Sequence, residues 1–195
     1  MSNRTIAFLF LAALATACSS SKTKKDINDE FVDVPSPVGR LKLQARVDNI
    51  QYQRGLILIA NLERIAAYGV TAIPTCLKNI DDEEPMTRMG CVWVLGRVGD
   101  IRTIPHIEPL LKDDVDYVRY EAASALGVMG ARQGYPVLVR GLSSDRIDFR
   151  FRCISALKDF TGRDFGYKHN ESPEVREVSV EAWESWLDRM QSEEL

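Results

Sequence analysis

The chain has 195 residues, 45% hydrophobic and 27% charged, and its 25 basic against 28 acidic residues leave a formal net charge of −3. This mildly acidic balance gives no support to nucleic-acid binding, which relies on basic patches to neutralise phosphates. With two histidines and four cysteines, no His-x-x-His or Cys-x-x-Cys spacing and no Gly-rich phosphate loop, no metal, cofactor or nucleotide site is expected.

The first segment reads as a sorting signal. Arg4 is the only charge before an apolar run from Ile6 to Ala17, which is shorter than the roughly 20 residues a spanning helix needs. The run ends in Leu14-Ala15-Thr16-Ala17-Cys18 and gives way to serine and lysine, so residues 1–17 are expected to be a signal peptide. Its end resembles a bacterial lipobox, although Ala15 stands where Leu is usual. The resemblance implies that Cys18 becomes a lipidated N-terminus and attaches the exported chain to a membrane; ordinary cleavage before Ala17 or Cys18 is the alternative. Ser19 and Ser20 lack the Asp that resembles an inner-membrane retention signal, which makes the periplasmic side of the outer membrane the expected address. Residues 18–37 then read as a tether, rich in Ser, Lys, Asp and Asn and stiffened by Pro35-Ser36-Pro37. A flexible chain of about 20 residues spans roughly 25 Å.

Residues 38–69 are expected to form a helical cap. Leu56, Ile57, Leu58, Ile59, Leu62 and Ile65 are apolar around much of a helix, but the segment departs from the period of the residues that follow. Terminal units of a repeat array are expected to be atypical.

Residues 70–163 contain one unit written three times at a period of 31. Pro74, Pro105 and Pro136 recur at that spacing, as do Glu83, Asp114 and Asp145, then Arg88, Arg119 and Arg150, then Leu95, Leu126 and Leu157. A first helix is predicted over 72–80, 103–111 and 134–142, with proline in its first turn, where a missing N–H costs nothing. A second is predicted over 86–97, 117–128 and 148–159. Its apolar stripe runs through Met89/Tyr120/Phe151, Val92/Ala123/Ile154 and the leucine position, beside a small-residue slot at Cys91, Ala122 and Cys153. Gly99 and Gly130 are expected C-terminal caps, whereas the third copy has Thr161 and then Gly162.

The run Tyr117-Val-Arg-Tyr-Glu-Ala-Ala-Ser-Ala-Leu-Gly-Val-Met-Gly130, preceded by Leu110-Leu-Lys-Asp-Asp114, resembles a HEAT repeat of the short bacterial type also found in phycobilisome lyases. The resemblance covers about half the chain. It implies an all-α fold, a right-handed α-solenoid of stacked antiparallel helical hairpins. The acids Glu83, Asp114 and Asp145 are expected to close each turn and cap the second helix. Arg88, Arg119 and Arg150 are expected to donate to acids and carbonyls of their own and the adjacent unit, forming a structural ladder. A ligand-binding arginine stripe is the competing account.

In a HEAT-type stack the second helices line the concave side. The positions left over by the apolar stripe there are Met86, Gly90, Trp93 and Arg97 in the first copy, Tyr117, Glu121, Ser124 and Val128 in the second, and Asp148, Arg152, Ser155 and Asp159 in the third. Met86, Trp93, Arg97, Tyr117, Glu121, Ser124 and Arg152 are therefore the expected contacts to a protein or peptide partner, with Trp93 as anchor unless the N-terminal cap covers it.

Residues 164–195 are expected to close the far end with a capping helix and an acidic tail, Trp183 and Trp186 being core residues on its inner face. His106, beside Pro105, and His169, in a polar loop, sit in different repeats and suggest no catalyst. Cys76 and Cys91 lie about equally far on either side of the turn over 81–85, so a hairpin brings them level; a disulfide or two buried thiols are both compatible. The expected function is a non-enzymatic, lipid-anchored binding or scaffolding module of the bacterial envelope. An assembly or pilot factor for an envelope complex, or, from a different class, a lyase-type enzyme of the phycobilisome-lyase kind, are the alternatives.

Overall fold

The computed structural model describes residues 36–192, and within them the chain is all-helical. The expected signal peptide, Cys18 and most of the expected tether lie outside the described residues. Ser36 opens the first helix, α1 (Pro37–Asp48): its Oγ accepts from the Gly39 amide at 3.2 Å, while Pro37 occupies the first turn. A 3₁₀ turn over Ile50–Tyr52 leads into α2 (Gly55–Ala66), which completes the N-terminal hairpin.

Three further hairpins follow. The first pairs α3 (Ile73–Lys78) with α4 (Pro85–Val98), the second α5 (Ile104–Ile107) with α6 (Asp116–Val128), and the third α7 (Tyr135–Gly141) with α8 (Ile147–Thr161). The helix α9 (Pro173–Ser192) packs on α7 and closes the stack. The helices α2, α4, α6 and α8 lie side by side in one layer, while α1 and α3, and α7 and α9, pack against each other on the other side. Gly99, Gly130 and Gly162 end the three second helices with φ of 72°, 77° and 68°, a left-handed conformation that glycine adopts without a Cβ penalty.

The first helix of the second unit is shorter than expected. Only Ile104–Ile107 is α-helical, flanked by 3₁₀ turns over Ile101–Thr103 and Glu108–Lys112. Pro105 and Pro109 are the cause: Pro109 has no N–H to offer the Pro105 carbonyl, so the segment tightens into 3₁₀ winding.

The apolar interior forms two clusters that meet at α6. Ile65, Ile73, Val92 and Leu95 centre one, which also takes Ala122 and Leu126; Leu138, Leu142, Leu157 and Trp183 centre the other, which takes Ala123. Close helix approach uses small residues. A Cβ on Gly96 of α4 would lie 2.7 Å from Ala125 Cβ of α6, and one on Gly134 would lie 2.6 Å from the Ala123 carbonyl oxygen. Trp183 is fully buried and Trp186 half-buried, their rings edge to face at 5.5 Å.

The turns between first and second helices carry the ladder, with two departures from expectation. The side chains that close them come one residue earlier than Glu83, Asp114 and Asp145. Asp82 Oδ1 accepts from the Glu84 amide at 2.8 Å, Asp113 Oδ1 from Val115 at 2.9 Å, and Ser144 Oγ from Arg146 at 3.2 Å. A short polar side chain reaches the amide two residues on, and the acid that follows it points outward. The arginines bind turn carbonyls of their own unit: Arg88 donates to Asp82 O and Glu83 O, Arg119 to Asp113 O, and Arg150 to Ser144 O and Asp145 O. Only Arg88 also forms a forked pair with a carboxylate of the next unit, both bonds to Asp113 being 2.8 Å, with Asp114 at 3.2 Å. Arg119 pairs with Asp116 within its own helix, and Arg150 reaches the His169 carbonyl at 2.8 Å. Arg176 in α9 repeats the device, donating to Glu171 O and Leu142 O.

Candidate functional site

The second helices leave an open groove of about 740 Å³ running along α4, α6 and α8 and bordered at its N-terminal end by Arg54 and Leu58. It forms because residues four and seven apart on a helix share a face, so the positions not used to pack against the first helices of each hairpin align across three neighbouring helices. Met86 and Trp93 project into it from α4, Tyr117, Glu121 and Ser124 from α6, and Arg152 from α8. Arg97 lies just outside, in an adjoining depression that it shares with Trp93, Glu121 and Ser124, and its Nε stands 3.8 Å from Glu63 Oε2.

Four expected positions differ. Gly90 is buried rather than facing the groove, because Ile50 and Leu62 of the N-terminal hairpin press on it; a Cβ there would lie 2.9 Å from Ile50 and 3.1 Å from Leu62. Trp93 remains half-buried, packed on one side against the core. Phe151, assigned to the apolar core stripe, is 53% exposed and lines the groove, packing edge-on against His169 with centroids 5.0 Å apart. Met89 and Tyr120, from the same stripe, are half-buried groove residues, since a helix wedged between two neighbours turns one edge of its apolar stripe toward the opening.

Charge in the groove is unevenly satisfied. Arg146 bonds Asp148 at 2.7 Å and lies 4.1 Å over the Phe149 ring, and this pairing holds the Asp148 carboxyl below its usual range. Glu121 is half-buried and makes no hydrogen bond or ion pair among the described residues. Loss of water pushes its carboxyl up to about 7, with Arg152 pulling slightly the other way. Burial likewise raises the Tyr120 hydroxyl and pushes the Cys153 thiol at the groove floor up to about 12. No group of three or more His, Cys, Asp or Glu among the described residues is placed to hold a metal ion.

Residues 56–127 match the family described as HEAT repeats, and residues 118–144 match PBS lyase HEAT-like repeats. The stacked helical hairpins agree with a HEAT-like helical solenoid over these matched residues. The matched HEAT segment includes α2, so the N-terminal hairpin's second helix, irregular in sequence, is part of the same architecture. The chain is also similar to deoxyhypusine hydroxylase of Candida albicans, 28% identical over 90 residues, which is 45% of this chain and 28% of that enzyme. This relative corrects the expectation that the chain is not an enzyme. That expectation rested on missing catalytic motifs, and nearly half of this chain is similar to a protein named for a catalytic activity.

Proposed function

We propose that the chain is a lipid-anchored HEAT-repeat module that holds a segment of a partner protein in the groove of α4, α6 and α8. One observation carries the reading: Met86, Trp93 and Tyr117, from two helices, present large apolar surface to one open groove beside the unpaired Glu121. Half-exposed aromatic side chains in a concave, mainly apolar site are the anchors from which interfaces draw most of their affinity. Replacing Trp93 and Tyr117 together by Ala is expected to abolish partner capture in pull-downs while the helical circular-dichroism signal persists. Undiminished capture by the folded double variant overturns the reading.

The anchor rests on the apolar run and the small residues before Cys18. Cys18→Ala is expected to release the protein from the membrane fraction, and equal retention of the variant contradicts it. Among the described residues no single helix is long and apolar enough to cross a membrane. An assembly or pilot role for an envelope complex uses the same groove and predicts that the captured partner loses its membrane address in the Cys18→Ala strain.

Catalysis in the groove is a second reading, favoured by a carboxyl held near neutrality in a largely apolar site, where general acids and bases are tuned. Conversion of a compound from a metabolite mixture by the wild type but not by Glu121→Gln supports it. Conversion that survives the substitution removes Glu121 from any such role.

A further inference from the structure

Glu121 is the point in the groove where chemistry is left incomplete. It occupies the middle helix, so it faces both the main groove and the depression beside Arg97, and Trp93 and Ser124 line the same two spaces. Tyr117 precedes it by one helical turn on the same face. The other charges have partners or water. Arg146 is paired with Asp148, Arg97 faces Glu63, and Arg54 donates to the Gln51 and Gln53 carbonyls. Arg152 and Asp159 are exposed at the rim; Arg152 acts on Glu121 across the groove without an ion pair, and its pull is outweighed by burial.

Resting on the partner-segment reading above, we propose that Glu121, framed by Trp93 and Tyr117, receives a lysine or arginine side chain of the bound segment, whose apolar neighbours lie on Met86 and Met89. The physical case has two parts. An aromatic ring attracts a cation over its face, more strongly once water is excluded. A carboxylate that has lost hydration without gaining a partner regains stabilisation when an ammonium or guanidinium arrives, whereas an anionic group meets repulsion there. An uncharged apolar segment fills the groove but leaves the carboxyl unpaired. Charge complementarity therefore favours a basic residue within an apolar stretch.

The same site makes binding depend on pH. A cation is bound by the ionised carboxylate, so affinity rises as pH increases through about 7, the value to which Glu121 is pushed. The ionisable groups facing it are Tyr117 and Tyr120 on its own helix, Glu63 and Arg97 on one side, Arg152, Asp148 and Asp159 on the other, Cys153 at the floor, and His169 behind Phe151. The Glu121→Gln variant separates its contribution from theirs.

The test selects dodecapeptides from a random phage-displayed library on the full chain and re-measures the winners against two variants. The proposal expects enrichment of Lys or Arg flanked by apolar residues. It expects Glu121→Gln to weaken those peptides on the order of tenfold at about pH 8 and negligibly at about pH 5.5, where the wild-type carboxyl is itself protonated. Peptides that lose binding with Trp93→Ala, yet show no basic enrichment or are indifferent to Glu121→Gln, overturn this proposal and leave the groove reading standing. Winners indifferent to Trp93→Ala, or no winners at all, overturn both.

Discussion

The helices α4, α6 and α8 each present two faces outside the core, and the two obey different rules. At the turn edge the residues repeat in type as well as in spacing: Asp82, Asp113 and Ser144 close the turns, and Arg88, Arg119 and Arg150 bind the carbonyls beside them. Every arginine there has several acceptors. Along the groove the aligned positions change character from unit to unit, Met86, Tyr117 and Asp148 at one level and Trp93, Ser124 and Ser155 at another, and Glu121 has no hydrogen bond or ion pair among the described residues. Polar groups that repeat and are satisfied hold the stack in register. Groups that break the repeat and stay unsatisfied mark the face whose remaining interactions come from another molecule.

The largest effect is expected at the turn edge. Burial pushes the Asp113 carboxyl up, but hydrogen bonds from Arg88 and the Val115 amide outweigh it and hold the group below its usual range. Arg88→Ala removes the fork and leaves a carboxylate only 8% exposed without its cation, an expected loss of about 3 kcal/mol in urea unfolding. Asp114→Ala is the control: that side chain is 88% exposed, and the change is expected to cost under about 0.5 kcal/mol. Because Asp113 has a depressed folded-state value, its contribution is present at neutral pH and is lost as pH falls through and below the ordinary aspartate range. Arg88→Ala is thus expected to flatten that acid limb of stability.

Next comes the close packing behind the groove, where α7 meets α6. Gly134→Ala places a Cβ against backbone atoms of Ala123 that have no rotamer to yield, for an expected loss of about 2 kcal/mol by thermal unfolding. Trp93→Ala sharpens the contrast from the groove side. The ring is half-buried on the core, so a loss of about 1–2 kcal/mol is expected, smaller than for Arg88→Ala, with a far larger loss of peptide binding. A Trp93 variant that fails to fold would place that ring in the core.

The smallest expected effect on stability is that of Glu121. Its folded-state value is raised to about 7 from an ordinary 4.5, so the folded chain takes up the proton more readily, and stability declines as pH rises across that window. Glu121→Gln is expected to remove the decline, on the order of 1 kcal/mol given the water that reaches the groove, in melting curves taken from about pH 5 to about pH 8. The Cys76 and Cys91 thiols are both fully buried in the hairpin of α3 and α4, where the neighbouring Cys76 thiol and burial raise the Cys91 thiol well above its usual range. Alkylation under unfolding, non-reducing conditions is expected to find both as free thiols, as the structure shows them.

Most of the hairpin architecture was legible because burial imposes period: the 31-residue spacing and the i, i+4, i+7 leftovers are direct consequences of stacking identical units. The groove's composition followed from the same geometry. What escaped depended on single-residue detail. Whether position 82 or 83 closes a turn is decided by which side chain reaches an amide two residues on, and both are acids. The 3₁₀ winding at Glu108–Lys112 follows from a second proline, Pro109, that the other units lack. Phe151 and Tyr120 share the period of core residues, and only the angle at which neighbouring helices meet turns them toward the opening.

Site-specific photo-crosslinking in cells tests the central claim most directly. A photoreactive residue at Tyr117, in the groove, is compared with one at Lys112, on the turn edge. The account predicts one protein captured at Tyr117, lost when Trp93→Ala is added, and absent from Lys112; capture of the same protein equally from both positions would contradict it.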